Sequence, residues 1–142
     1  MEIEVKRSDC RFYVDEAHRK VVCVIPDTKN LVINYIDKMG VENPLYYDWK
    51  VEDKLRMPHS FSGVATCHED DVFDVETGKL IAYNKARNKL NTSFFKRANY
   101  FVNYLDTQLN LIMEDFNRYG ARLSTNATHR ENKINKILGE EK

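Results

Sequence analysis

Apolar and polar residues alternate on both sides of "DEAHR" in the opening stretch "MEIEVKRSDCRFYVDEAHRKVVCVIP". That is the period of a strand with one buried face, and it predicts a β-hairpin or meander closed by Pro26. In the next stretch, "DTKNLVINYIDKMG", Asp27 or Thr28 can cap a short helix that ends at Gly40, although Val32, Ile33 and Ile36 are β-branched. "VENPLYYDWKVEDKLRMPHS" mixes Pro44 and Pro58 with acids and aromatics and predicts a long surface connection holding at most a short strand. "FSGVATCH" returns to strand alternation.

From Asp74 the period becomes helical. Asp74 can cap, Glu76 sits in the first turn, and Leu80, Tyr83, Ala86 and Leu90 form an apolar stripe, which predicts a helix over 74–91. Ser93 starts a second helix, over 93–123, in which Phe95, Ala98, Val102, Leu105, Leu109, Ile112, Phe116, Tyr119 and Leu123 alternate steps of three and four. Such a heptad seam faces another helix, and Phe94 and Phe101 beside it widen the apolar side. Gly120 weakens its far end. Thr128 and Glu131 make a capping box for a short terminal helix over 128–138, with Ile134, Ile137 and Leu138 available for docking.

The expected fold class is α+β: an N-terminal antiparallel β-sheet, with residues 1–68 mainly strands, followed by two long C-terminal helices that mediate oligomerisation. A helix of about 30 residues spans about 45 Å, more than a domain of this size is wide, so its stripe is expected to form a homo-oligomer, most simply a twofold dimer.

Composition adds bounds. With 142 residues the chain fits a single domain, 1–142, able to bury roughly two thirds of its unfolded surface. Basic and acidic side chains number 22 each, so any function built on charge is local. Cys10, Cys23 and Cys67 have no metal-ligand or disulfide spacing and read as buried thiols of a reducing cytoplasm. No signal peptide opens the chain, and no apolar run approaches the ~20 residues that a bilayer span needs, so no membrane partner is expected. On the same ground the sequons at Asn91 and Asn126 carry no weight.

Candidate chemistry is sparse. Glu69, Asp70, Asp71, Asp74 and Glu76 invite a cation, but their spacing fails the EF-hand loop, and acids before a helix start stabilise its dipole and cap its amides. His18, His59, His68 and His129 are scattered, and neither a nucleophile elbow nor a phosphate loop is present; no catalytic residue, metal or cofactor is expected. Six cations, Lys79, Lys85, Arg87, Lys89, Lys96 and Arg97, lie between residues 79 and 98 without an acid, and Arg118 and Arg122 stand one turn apart. Phosphate suits such groups, and interleaved asparagines and aromatics suit a nucleotide. The alternative is a solvated face whose arginines pair with Glu114 or Asp115.

"GVATCHEDDVFDVETGKLIAYNKARNKL" resembles a pattern common in small phage and prophage proteins, matched here by Cys67, Asp70 or Asp71, Phe73, Asp74, Gly78, Ala82 and Ala86. Together with the strands-then-helices outline it is similar to the phage Thoeris anti-defence sponge of the first type. That resemblance implies a cytoplasmic protein of the infected bacterial host that sequesters a cyclic ADP-ribose signal without cleaving it, some members also holding cyclic oligonucleotides. It implies stacking on Phe73 and Phe95 and polar contacts from Asn99, Arg118 and Arg122, of which Phe73 alone is matched by position. Two other classes stay open: an inhibitor acting by direct protein contact, such as an anti-CRISPR, and an accessory protein that binds nucleic acid through the 79–98 patch; a third, an enzyme that degrades the signal, has no base, nucleophile or metal to name.

Overall fold

A computed structural model describes residues 5–39 and 48–140. The fold is α+β: a three-stranded antiparallel sheet ordered β1-β2-β3, followed by a long C-terminal helix. The chain divides into two compact units, residues 1–101 and 102–142, each described by itself below. The expected helix end at Gly40 lies outside the described residues.

In the first unit, β1 (Arg11–Asp15) and β2 (Lys20–Ile25) form the expected hairpin, with Tyr13 opposite Val22 and Asp15 opposite Lys20. β3 (Phe61–Thr66) pairs with β2, placing Gly63 opposite Cys23 and Ala65 opposite Val21. Because successive side chains alternate faces, Val21, Cys23, Ile25, Gly63 and Ala65 share one side of the sheet, and all are buried. The row Tyr13–Val22–Val64 lies on the other side, where Tyr13 and Val64 are exposed.

Helix α1 (Leu31–Met39) buries Val32, Ile33 and Ile36, one face at helical spacing, so burial outweighs the low helix propensity of these β-branched residues. Thr28 does not cap it. Its side chain is fully buried and donates to the Pro58 carbonyl at 2.6 Å, while its amide bonds His59 O at 3.1 Å, tying the segment before α1 to the one before β3. The supposed surface connection holds a second helix, α2 (Trp49–Leu55), capped by Asp48, whose carboxylate accepts from the amides of Lys50 and Val51. Val51, Leu55 and the following Met57 are core residues, which a reading guided by prolines and charges passes over.

Helix α3 (Val75–Glu140) is one element where helices over 74–91, 93–123 and 128–138 were expected. None of the three prolines lies beyond residue 58, and Asn91, Thr92 and Ser93 each cost only a few tenths of a kcal/mol inside a helix. Thr92 and Thr128 hydroxyls donate to the carbonyls one turn back, of Asn88 at 2.9 Å and Ser124 at 3.0 Å, so Thr128 continues the helix and caps nothing.

The stripe of α3 buried in the first unit is Gly78, Ala82, Ala86, Leu90, Phe94 and Phe101; Leu80 and Phe95 are exposed. The small residues explain the choice. A Cβ on Gly63 would fall on the Ala82 carbonyl oxygen and 2.5 Å from the Ala86 nitrogen, so strand and helix backbones touch there. One on Gly78 would meet Val21 Cγ2 at 2.7 Å. Phe94 then packs edge-on against Tyr35 of α1, with ring centroids 5.8 Å apart.

In the second unit the described residues, 102–140, are all helical. Side chains 102–139 are exposed there except for Tyr104 and Leu105, which are half-buried.

Candidate functional site

Between the end of β3 and the start of α3 the backbone is organised around two side chains. Arg19, at the end of the β1–β2 turn, has a left-handed φ of 54°. Its guanidinium donates to the carbonyls of His68 (3.1 Å) and Asp71 and lies 3.3 Å from Cys67 Sγ. Its backbone carbonyl accepts from the Cys67 amide at 2.9 Å. Cys67 Sγ in turn lies 3.5 Å from His68 O and 3.6 Å from Val72 O. One cation thus adds charge-assisted bonds to a loop that also closes on itself, His68 O accepting from the Asp71 amide at 3.1 Å.

Asp74 closes the loop and opens the helix, its carboxylate accepting from the Glu76 amide at 3.2 Å and from the Thr77 hydroxyl at 2.6 Å. The Thr77 hydroxyl, with the two amides behind it, holds the Asp74 carboxyl below its ordinary value. The acid cluster therefore resolves into separate tasks. Asp74 caps, and Glu76 pairs with Arg7 (3.4 Å) and Lys79 (3.7 Å). Asp70 faces His68 at 3.5 Å, the ring being otherwise exposed. Among the described residues no three His, Cys, Asp or Glu side chains are grouped to hold a metal ion.

A cleft of about 290 Å³ opens beside this loop, walled by Cys67, Asp71, Phe73, Asp74, Thr77 and Ile81 among others. It lies at the lower limit of small-molecule pockets, which start near 300 Å³. Phe73 is thus placed on a cleft wall. Phe95 and Asn99 are exposed one turn apart on α3, with Phe95 edge-on to Phe94 at 6.1 Å between centroids. They do not share the cleft: Phe95 lies 20 residues further along α3 than its first residue, about 30 Å of helix. Arg118 and Arg122 belong to the second unit, both exposed, Arg118 lying 3.8 Å from Asp115 as the solvated-face alternative anticipated. Within the first unit Phe73 therefore stands apart from Phe95 and Asn99. Arg19 went unremarked in the sequence because its partners lie about 50 positions away, beyond any local signal.

The basic segment 79–98 has largely structural work. Lys85 Nζ donates to Val64 O at 3.0 Å and Lys89 Nζ to Ser62 O at 2.8 Å, capping carbonyls on the outer edge of β3. Arg97 Nε donates to Arg56 O at 2.8 Å, binding the end of α2 to α3. Lys79 lies over the Phe12 ring at 5.7 Å, and Arg7 lies at the same distance from that ring.

The thiols of Cys10 and Cys23 are unsuited to nucleophilic work. Burial pushes Cys23 up to about 12, with the neighbouring Cys10 adding to it, and burial raises Cys10 as well, so both stay protonated at neutral pH.

The second unit offers a different feature. Val102, Leu109, Ile112, Phe116, Tyr119 and Leu123 are all exposed, with Leu105 half-buried among them, and the heptad spacing places the seven on one helix face. No family model, curated protein or solved structure matches the chain. No described helix is long and apolar enough to cross a membrane.

Proposed function

We propose that the protein is a non-catalytic binding protein that works as an assembly of copies and holds, uncleaved, a nucleotide signal of the cyclic ADP-ribose class. The observation that carries the assembly is the exposed seam from Val102 to Leu123. A lone helix is marginal in water, and most helical stability comes from packing an apolar face, so a stripe of this kind calls for a covering helix.

The ligand class rests on the resemblance together with the place of Phe73. Its ring stands on a cleft wall, where an adenine can stack. Asp71 and Asp74 line the same cleft and would repel phosphate, which favours the adenine end of such a ligand there; Phe95 and Asn99 on α3, and Arg118 and Arg122 in the second unit, are exposed and stay candidate contacts outside that cleft. An inhibitor acting by direct protein contact is the second reading, favoured by the exposed Tyr13 and Val64 on the open side of the sheet. The nucleic-acid reading loses its main support, since Lys85, Lys89 and Arg97 bond backbone carbonyls.

Incubation with cyclic ADP-ribose isomers separates these readings. The sponge reading expects a thermal upshift of several degrees, because ligand at 100 times Kd adds about 2.7 kcal/mol of stability, and recovery of intact ligand after denaturation. No shift with any isomer, or recovery of a cleaved product, would reject it.

A further inference from the structure

We infer that the second unit pairs with the same unit of a second copy in an antiparallel, twofold arrangement centred between Leu109 and Ile112. The inference rests on the assembly reading above and adds an orientation and a register to it.

Size complementarity is the first argument. Paired helices keep a nearly constant separation, so facing layers fit best when a large residue meets a small one. Antiparallel pairing about this centre sets Leu109 against Ile112 of the second copy, Leu105 against Phe116, and Val102 against Tyr119, each contact occurring twice by symmetry. Parallel pairing in register would instead stack Phe116 on Phe116 and Tyr119 on Tyr119, and set Val102 on Val102, a narrow layer beside the broader Leu105 one. Beyond Leu123 it would also bring Arg130 against Arg130 and Lys133 against Lys133.

Charge is the second argument, and it selects among antiparallel registers. About the proposed centre, Asp115 flanks Gln108 of the second copy and Asp106 flanks Met113, with no like charges opposed. Moving the centre half a heptad toward the C-terminus puts Asp115 beside Asp115, and moving it half a heptad the other way puts Asp106 beside Asp106. A centre between Asn117 and Arg118 gains two Asp115–Arg122 pairs but sets Leu105 against Arg130 and Val102 against Lys133. Exposed ion pairs contribute less than apolar layers, so that register loses. The seam residues are exposed in the single chain except Leu105, which is half-buried, and a twofold contact of one patch with itself closes the assembly.

Cysteine cross-linking of the full chain tests the inference. Val102→Cys and Tyr119→Cys proteins are mixed and oxidised mildly, and disulfide-linked peptides are identified by mass, which separates new bonds from any at Cys10, Cys23 or Cys67. A 102–119 link in the mixture, with neither variant linking to itself, is the expected result; Leu105→Cys with Phe116→Cys serves as an independent pair. A 102–102 link would replace the antiparallel arrangement with a parallel one and leave the assembly reading standing. A dimeric mass with no link from either pair would move the interface to another face. A monomeric mass at every concentration would remove the assembly reading and this inference together.

Discussion

Arg19 adopts a conformation that costs an L-residue roughly 1–2 kcal/mol, and its three contacts with the 67–72 loop offset that cost. Arg19→Ala is expected to lower unfolding stability by about 2–3 kcal/mol, the range for losing hydrogen bonds to a charged group, and to speed amide exchange across residues 67–72. Urea unfolding and exchange measured together check this, and a variant as stable as the parent with a protected loop would contradict it. Cys67, Asp74 and Gly78, singled out in the sequence for a shared pattern, have folding duties as well: loop organiser, helix cap and close approach to Val21. Phe95, Asn99, Arg118 and Arg122 were legible as chemistry and not as a place, because side-chain type gives no information on which residues converge.

Among the elements, the hairpin, the third strand and the helical character of residues 75–140 were all readable from periodicity, since burial on one face imposes a period of 2 or 3.6. On α3 the expected stripe was right at Ala86 and Leu90, which are buried, and wrong at Leu80, which is exposed, as is Phe95 of the seam; the sheet also takes Gly78 and Ala82, because a tight crossing rewards small volume more than hydrophobicity. Helix α2 escaped because seven residues between prolines give too short a window for a period to register. The crossing predicts a contrast. Gly63→Ala drives a methyl into the backbone of α3 and should cost about 3 kcal/mol or prevent folding. Gly78→Ala meets the buried Val21 side chain, Cγ2 at 2.7 Å and Cβ at 3.4 Å, but no backbone, and the helix propensity it gains, about 1 kcal/mol, offsets part of that clash, so it should lose clearly less than Gly63→Ala. Thermal or urea unfolding of the two variants decides it, and equal losses would contradict the close crossing at Gly63.

At the scale of the whole molecule, two units carry different burdens. The first buries a core of strands and helices, while the second, as a single chain, leaves its best-ordered apolar pattern in water. Of the cations that looked available for an anionic partner, Lys85 and Lys89 support the sheet edge and Arg97 the α2–α3 junction. The heptad was plain in the sequence because its steps are regular over seven positions of the second unit. Its partner was not, because a chain read alone contains no second copy.

The central claim, that copies join through the seam of the second unit, is tested most directly by mass in solution, comparing the parent with the double variant Leu109→Glu, Ile112→Glu. Light scattering across a concentration series should give at least twice 16.7 kDa for the parent and a single-chain mass for the variant, with the unfolding of the first unit unchanged. A parent that stays at 16.7 kDa throughout, or a variant that remains assembled, would contradict the account.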